Sequence, residues 1–127
     1  WNSIGTAVLY TSQSRALCAV EVAVHIPLGI IPEDYHLLSI QIPDDSDLFK
    51  NIDPNELPFD WKINPPSFST QQFGDQFVAE NKYLILMVPS VVVQGDFNYL
   101  LNPAHPNFRE IEIISGELFE FDKRLLS

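Results

Sequence analysis

The sequence has few cysteines, few basic residues and no long apolar run, and each shortage excludes a class of protein. Its single cysteine, Cys18, cannot form an internal disulfide or build a zinc site alone, which is typical of a reducing compartment. No run approaches the roughly 18 apolar residues of a membrane span. No basic start followed by an apolar segment marks a signal peptide. We therefore expect a cytoplasmic protein with no membrane contact.

Basic residues are scarce relative to acidic ones, with 7 Lys and Arg against 17 Asp and Glu and a formal net charge of -10. A field of this sign repels phosphate backbones and anionic lipid surfaces. The charge therefore argues against direct nucleic-acid binding. It does not exclude an anionic small molecule, because a few local donors determine the field inside a pocket.

What the chain does have is enough apolar residues for one core. Its 127 residues are 46% hydrophobic and 12% aromatic, which predicts a single domain over 1–127 with a packed interior. The chain opens at Trp1 and not at Met, so we expect natural residues upstream of it.

Hydrophobic patterning and chain breakers predict an α+β fold, with a mixed sheet and few helices. Helices are expected at 15–26 and from Ser69 or Thr70 to Glu80. Strands are expected at 7–11, 35–42, 83–88 and 97–102, with 83–88 central and covered on both faces. Segments 109–115 and 118–121 are predicted to close the sheet as a hairpin that turns at Gly116.

The proline-rich stretch 43–66 shows neither helical nor strand periodicity, so we expect a long irregular loop. Three apolar side chains are available to hold it against the core: Leu57, Phe59 and Trp61. A loop of this length is usually either a functional cover that controls access to a site or locally disordered.

Glu21 is the most informative residue, because the helix that carries it is apolar on nearly all sides and is expected to be buried. An ionised carboxylate there is costly unless it is paired, hydrogen-bonded or protonated. His25 follows at i+4 on the same stripe, so the two side chains can line one cleft. They can equally satisfy each other near a helix end, and the sequence leaves both interpretations open.

Tyr10 and Ser90 each fall near the end of a predicted strand, where open mixed sheets often present pocket residues. Each is weak evidence alone, since tyrosines in strands are usually packing residues and Ser90 lacks a Gly-x-Ser-x-Gly setting. Asn98 belongs to a segment dense in side-chain amides and prolines, where turn capping is the ordinary role. His36 is expected at a surface or edge and His105 in a loop. No metal-ligand spacing and no phosphate-binding glycine motif is present.

Taken together, five motifs in this order resemble a RES domain, the toxin of bacterial RES–Xre toxin–antitoxin modules. They are Trp1-Asn2-Ser3-x-Gly5, Tyr10-Thr11-Ser12, Ala16-Leu17-x-x-x-Glu21-Val22-x-Val24-His25, Ser69-Thr70-Gln71-x-x-Gly74-Asp75, and Val88-Pro89-Ser90 followed by Asn98-Tyr99-Leu100-Leu101-Asn102-Pro103-x-His105-Pro106. The resemblance runs from Trp1 to about Leu125. The family's Glu and Ser correspond to Glu21 and Ser90, and its Arg is expected immediately before Trp1, so the chain as given is expected to be weak or inactive.

The resemblance implies a fold like that of diphtheria-toxin-type ADP-ribosyltransferases, with NAD⁺ as substrate, no resident cofactor and no metal. It implies that Glu21 stabilises the charged ribose, that Tyr10 stacks on the nicotinamide side, and that Ser90 binds ribose or orients Glu21. Asn98 would help to hold the substrate. The remaining expected substrate contacts are His25 and Trp1.

Three functions remain open at this point. The first is a toxin that cleaves the nicotinamide–ribose bond, with water or phosphate as acceptor. The second is a mono-ADP-ribosyltransferase that modifies a protein, and the third is a catalytically idle binding module. The resemblance also implies an Xre-like helix-turn-helix antitoxin that covers the pocket, and a homodimer within that complex.

Overall fold

The computed structural model describes residues 1–126, whose main elements are two sheets and two α-helices. The larger sheet has the order β1 (Leu9–Ser12), β5 (Phe97–Leu101), β4 (Ile85–Pro89) and β3 (Phe49–Asn51). The smaller sheet pairs β2 (His36–Gln41) with β6 (Glu112–Leu118), and the helices are α1 (Arg15–Ala23) and α2 (Phe68–Glu80). Because β3 pairs parallel with β4 while the other pairs are antiparallel, the sheet is mixed and the expected α+β class is confirmed.

The core lies around β4 and β5, the two inner strands of the larger sheet. Six residues of this region are almost completely buried: Leu84, Ile85, Leu86, Val88, Leu100 and Leu101. The near-continuous apolar run of β4 is explained by its position, because a central strand covered on both faces needs apolar side chains on both. The prediction of a central strand here is confirmed.

Both helices begin at serine caps. Ser14 accepts a hydrogen bond from the Leu17 N–H at the start of α1, and Ser67, not Ser69 or Thr70, caps α2. Helix α1 ends at Ala23, before the expected Ile26, because shorter i→i−3 bonds to Val22 and Ala23 take over. Within residues 1–126 neither helix is long and apolar enough to cross a membrane.

The expected burial of α1 is wrong. Among its residues only Leu17 is buried, and Val24, which follows the helix, is 55% exposed. The helix packs along β1 and leaves much of its surface outside the core. Burial in the core therefore does not explain its apolar character.

Two strand predictions are also wrong. Segment 43–66 is not wholly irregular, because it contains β3, whose three residues are too few to show a period. The hairpin around Gly116 does not form, since β6 runs straight through that residue and pairs with β2. Gly116 lies opposite Leu38, and a Cβ there would come 3.1 Å from the Leu38 Cδ2, so the glycine permits a close approach and not a turn.

Candidate active site

Three residues predicted from the sequence meet at one carboxylate oxygen. The Ser90 hydroxyl donates to Oε1 of Glu21 at 2.6 Å, and the Asn98 side-chain amide donates to the same oxygen at 2.7 Å. Glu21 comes from the second turn of α1, Ser90 directly follows β4, and Asn98 lies in β5. Hydrogen bonds to a charged acceptor are the strong ones, so this pair of donors fixes the carboxylate against the sheet.

Ser90 uses its whole hydrogen-bonding capacity within this arrangement. Its hydroxyl proton goes to Glu21, and its oxygen accepts from the Val92 and Val93 N–H groups at 3.1 and 2.9 Å. The side chain is 3% exposed. A hydroxyl with its proton and both lone pairs engaged has nothing left for a ligand, so the geometry favours an orienting role over ribose contact.

Asn98 is itself held by a residue whose role the sequence did not indicate. The register of the sheet places Ser12 of β1 directly opposite Asn98, and the Ser12 hydroxyl donates to Asn98 Oδ1 at 2.6 Å. This bond turns the amide so that its NH₂ group faces Glu21. In the sequence Ser12 stands only in the motif Tyr10-Thr11-Ser12, with no role assigned to it. Only the strand register brings Ser12 to the site.

The second carboxylate oxygen of Glu21 remains free. Within residues 1–126 Oε2 accepts no hydrogen bond, and no buried side-chain oxygen or nitrogen there lacks a partner, so Oε2 is reached by solvent. Oε1 is therefore held by two hydrogen bonds, whereas Oε2 is accessible to a bound molecule. A fixed, accessible negative charge of this kind is suited to stabilise positive charge on a bound molecule.

Glu21 lines a cavity of about 460 Å³ between α1 and the edge of the larger sheet. The volume is in the range of small-molecule and cofactor sites. The lining residues are Tyr10, Thr11, Ser12, Cys18, Glu21, Val22, His25, Ile26, Tyr35 and Asn98. Four of them were predicted as site residues: Tyr10, Glu21, His25 and Asn98. Ser90 is not part of the lining and contacts the site through its hydrogen bond to Glu21. Of the lining residues that the sequence did not single out, Tyr35 contributes an exposed aromatic ring.

Two ionisable lining residues are held in their neutral forms. Desolvation of the hydroxyl and the negative charge of Asp75 raise the pKa of Tyr10 to about 12, and this hydroxyl donates to Asn2 Oδ1. Burial, with a contribution from Glu21, raises the pKa of the Cys18 thiol. Neither group is therefore a ready nucleophile at neutral pH.

The histidines behave differently from one another. His25 is exposed at the rim of the cavity and makes no side-chain hydrogen bond within residues 1–126, so the local Glu21–His25 pair does not form. His36 is exposed on β2. His105 is buried, accepts from the Asn107 N–H through Nδ1, and therefore directs its Nε2 proton toward the Lys82 carbonyl at 3.2 Å. The last two lie outside the cavity lining.

Trp1 is not brought into this cluster. Its ring packs edge-on against Phe73 and tilted against Trp61, with centroids 6.4 and 6.0 Å apart. Trp1 does not line this cavity, so the structure does not support it as a substrate contact there; its ring packs on α2 instead.

The segment 43–66 contributes no residue to the lining of the cavity. Of its expected anchors, Leu57 packs on the core, whereas Phe59 is fully exposed.

No group of three or more His, Cys, Asp or Glu residues within 1–126 is arranged to hold a metal ion. The lining in this part of the chain is also poor in positive charge, with His25 as its basic side chain. The site therefore offers one presented carboxylate, two aromatic rings and hydrogen-bonding side chains on an apolar wall.

Comparisons with known proteins agree on one family. The family model described as "RES domain" matches residues 1–122. The chain is 33% identical over 127 residues to the "Prs ADP-ribosylating toxin" of Sphingobium sp., an alignment covering 99% of this chain and 79% of that protein. Two proteins named "Toxin Res" are also similar. That of Yersinia enterocolitica is 31% identical over 98% of this chain and 82% of its own, and that of Photorhabdus laumondii is 33% identical over 99% and 80%.

Proposed function

The chain belongs to the RES domain family, and we propose that it is a toxin that consumes NAD⁺ by cleaving the bond between nicotinamide and ribose. The observation that carries the proposal is that the two carboxylate oxygens of Glu21 have different surroundings. Oε1 accepts hydrogen bonds from Ser90 and Asn98, whereas Oε2 is accessible at the cavity. The names of the relatives as toxins support the biological role.

The proposed reaction needs a single carboxylate. When the bond between the ribose C1′ and the nicotinamide nitrogen breaks, its electron pair leaves with nicotinamide, which departs as a neutral molecule. Positive charge then builds on the ribose, as in glycoside hydrolysis. The Glu21 carboxylate stabilises that charge more than it stabilises the ground state, which is the condition for catalysis. Because the leaving group needs no proton, no general acid is required.

The other residues are assigned to binding and orientation. Ser90, Asn98 and Ser12 hold Glu21 in place through the hydrogen bonds described above. The Tyr10 ring offers an aromatic face for nicotinamide. After nicotinamide leaves, water or phosphate attacks C1′ and releases its proton to solvent, and the product is ADP-ribose or its 1″-phosphate.

The test is nicotinamide release from NAD⁺ by the full-length, antitoxin-free protein. Glu21→Gln keeps the size of the side chain and removes its charge, so we expect release to fall at least about 100-fold. Glu80→Gln, which changes a carboxylate at the exposed end of α2, is the matched control and should retain wild-type activity. Runs with and without phosphate identify the acceptor. Equal release by Glu21→Gln and wild type would refute the proposal.

A second candidate is transfer of ADP-ribose to a protein, which the name of the Sphingobium relative favours. It uses the same bond cleavage at the same carboxylate and differs only in the group that attacks C1′. Incubation of a bacterial lysate with labelled NAD⁺ and mass spectrometry separates the two. A modified protein that is absent with Glu21→Gln would establish transfer, and free ADP-ribose or its phosphate as the main product would establish degradation.

The proposed partner is an Xre-like helix-turn-helix antitoxin that covers the cavity. Exposed apolar side chains in the segment that follows the lining residue Ile26 support this proposal, since Leu28 is 77% and Ile30 57% exposed. DNA contact would belong to that partner, in keeping with the net charge of -10. A toxin that consumes NAD⁺ would act in the cytoplasm. Growth arrest on expression, relieved by the antitoxin, tests this pairing, and a homodimer within the complex stays a prediction.

A further inference from the structure

The segment Trp1-Asn2-Ser3 is fastened to the middle of α2 by three hydrogen bonds. The Gly74 N–H donates to the Trp1 carbonyl at 2.8 Å. Asp75 accepts from the Ser3 N–H through Oδ1 at 2.8 Å and from the Ser3 hydroxyl through Oδ2 at 2.7 Å. A Cβ on residue 74 would come within 2.0 Å of the Trp1 carbonyl oxygen, so the approach requires glycine. Residues 74 and 75 therefore serve to seat this segment.

The fastened segment continues directly to the cavity through Asn2. The Asn2 amide group donates to the Thr6 carbonyl at 2.8 Å, which commits its NH₂ and leaves Oδ1 as an acceptor. That oxygen accepts the hydrogen bond of the Tyr10 hydroxyl. Tyr10 is about half exposed, so core packing alone does not determine where its ring lies. Its position depends on where Asn2 is held.

We propose that Asp75 is a positioning residue for the cavity, which acts through Ser3 and Asn2 to hold the Tyr10 ring beside Glu21. This inference rests on the proposed function for its catalytic consequence, although the positioning itself does not. Asp75 is not among the residues that line the cavity, and it makes its hydrogen bonds to the amino-terminal segment and not to the ring. It therefore acts through other residues and not on the substrate.

If Asp75 had only a structural role, its loss would affect stability, whereas a positioning role predicts that its loss mainly affects activity. Asp75 is only partly buried, and hydrogen bonds at such positions make a modest net contribution to folding, because water replaces them in the unfolded state. Misplacing a substrate-contacting group by about 1 Å, however, lowers activity by up to about 100-fold. We therefore expect the loss of Asp75 to affect catalysis much more than the thermal unfolding midpoint.

The experiment compares kcat/KM for nicotinamide release among variants of the full-length protein. Asp75→Ala should lose roughly 10- to 100-fold, and Asp75→Asn, which keeps an acceptor for the Ser3 N–H, should recover part of that loss. Glu80→Ala, an exposed carboxylate on the same helix, is the control and should retain full activity. In a Tyr10→Phe background, which lacks the hydroxyl, Asp75→Ala should have little further effect. Independent, multiplying losses would overturn the proposal.

A second readout does not depend on the reaction. The NMR signals of the Tyr10 ring should move in Asp75→Ala and also in Ser3→Ala, which removes one bond to Asp75 but keeps its charge, and they should stay in place in Glu80→Ala. Movement in Asp75→Ala alone would reflect only the lost charge near the ring and would overturn the positioning. If the wild-type protein releases no nicotinamide and the ring signals still move in Ser3→Ala, the positioning stands and the proposed function fails. If the wild type is active and Asp75→Ala changes neither rate nor ring signals, the positioning fails. Should Asp75→Ala not fold, Ser3→Ala, which removes only one of the two bonds to Asp75, replaces it in both measurements.

Discussion

Asn98→Asp is the sharpest perturbation of the site, because it changes one atom that faces Glu21. The Asn98 amide nitrogen lies 2.7 Å from Glu21 Oε1, and the variant places a carboxylate oxygen there. Two unit charges about 4 Å apart interact by about 4 kcal/mol at an effective dielectric constant near 20. Glu21 is only half-buried, so solvent reduces this repulsion to about 2–3 kcal/mol.

This repulsion predicts a pH-dependent loss of stability. It raises the pKa of the introduced carboxyl by about two units in the folded protein, because 1.36 kcal/mol corresponds to one pKa unit. The folded state then binds a proton more tightly than the unfolded state. Stability relative to wild type is therefore closest to normal near pH 4, falls as the pH rises through about 6, and reaches its full deficit at pH 7.

Urea unfolding at pH 4, 5, 6 and 7 measures the effect. Asn98→Ala loses the same hydrogen bond without adding charge, so its deficit should be nearly independent of pH. Asn107→Asp is a matched control, since the Asn107 amide donates to Glu110 Oε2 at 2.6 Å in the same way but at an exposed position. Its deficit should stay below about 1 kcal/mol. If Asn98→Asp follows Asn98→Ala at every pH, the contact between Asn98 and Glu21 does not exist.

Two further substitutions test the residues that hold Glu21 and the amino-terminal segment in place. Ser90→Ala removes the charge-assisted bond to Glu21 and the oxygen that accepts from the Val92 and Val93 N–H groups. The free energy of unfolding should fall by about 2 kcal/mol and nicotinamide release should fall at least 10-fold. Unchanged release would show that Glu21 is oriented without Ser90. Gly74→Ala should lower the thermal midpoint by several degrees, although alanine favours helices, because its Cβ meets the Trp1 carbonyl. A raised midpoint would mean that the amino-terminal segment is not seated there.

The parts of the fold that were predictable are those in which one local pattern has one physical cause. The apolar run at 83–88 has no polar side to expose, and it becomes the buried strand β4. Strand β3 has only three residues, and its pairing with β4 comes from the tertiary fold. Gly116 is ambiguous for a related reason, since a glycine permits both a turn and a close cross-strand approach.

The same distinction applies to the site. Glu21 can be singled out from the sequence because an ionised carboxylate on an apolar helix is costly to bury unless other groups stabilise it. Ser12 and Asp75 stand in motifs of the resemblance, but their local pattern assigns them no role, since a serine in a strand and a helical aspartate are ordinary residues. Their roles arise from the opposition of Ser12 and Asn98 across two strands, and from contacts between Asp75 and a residue 72 positions away. Without the antiparallel register and the tertiary contact, neither role can be assigned.

The apolar surface of α1 shows why pattern alone misled about burial. Cys18 and Val22 lie one turn apart on the helix, Ile26 follows just beyond its end, and all three line the cavity with Glu21. An apolar stripe that faces a ligand has the same period as one that faces a core, because both remove apolar side chains from water. The carboxylate separates the two cases. A core stripe has no place for a charge with an accessible oxygen, whereas the proposed cleavage of NAD⁺ needs such a charge beside the ribose.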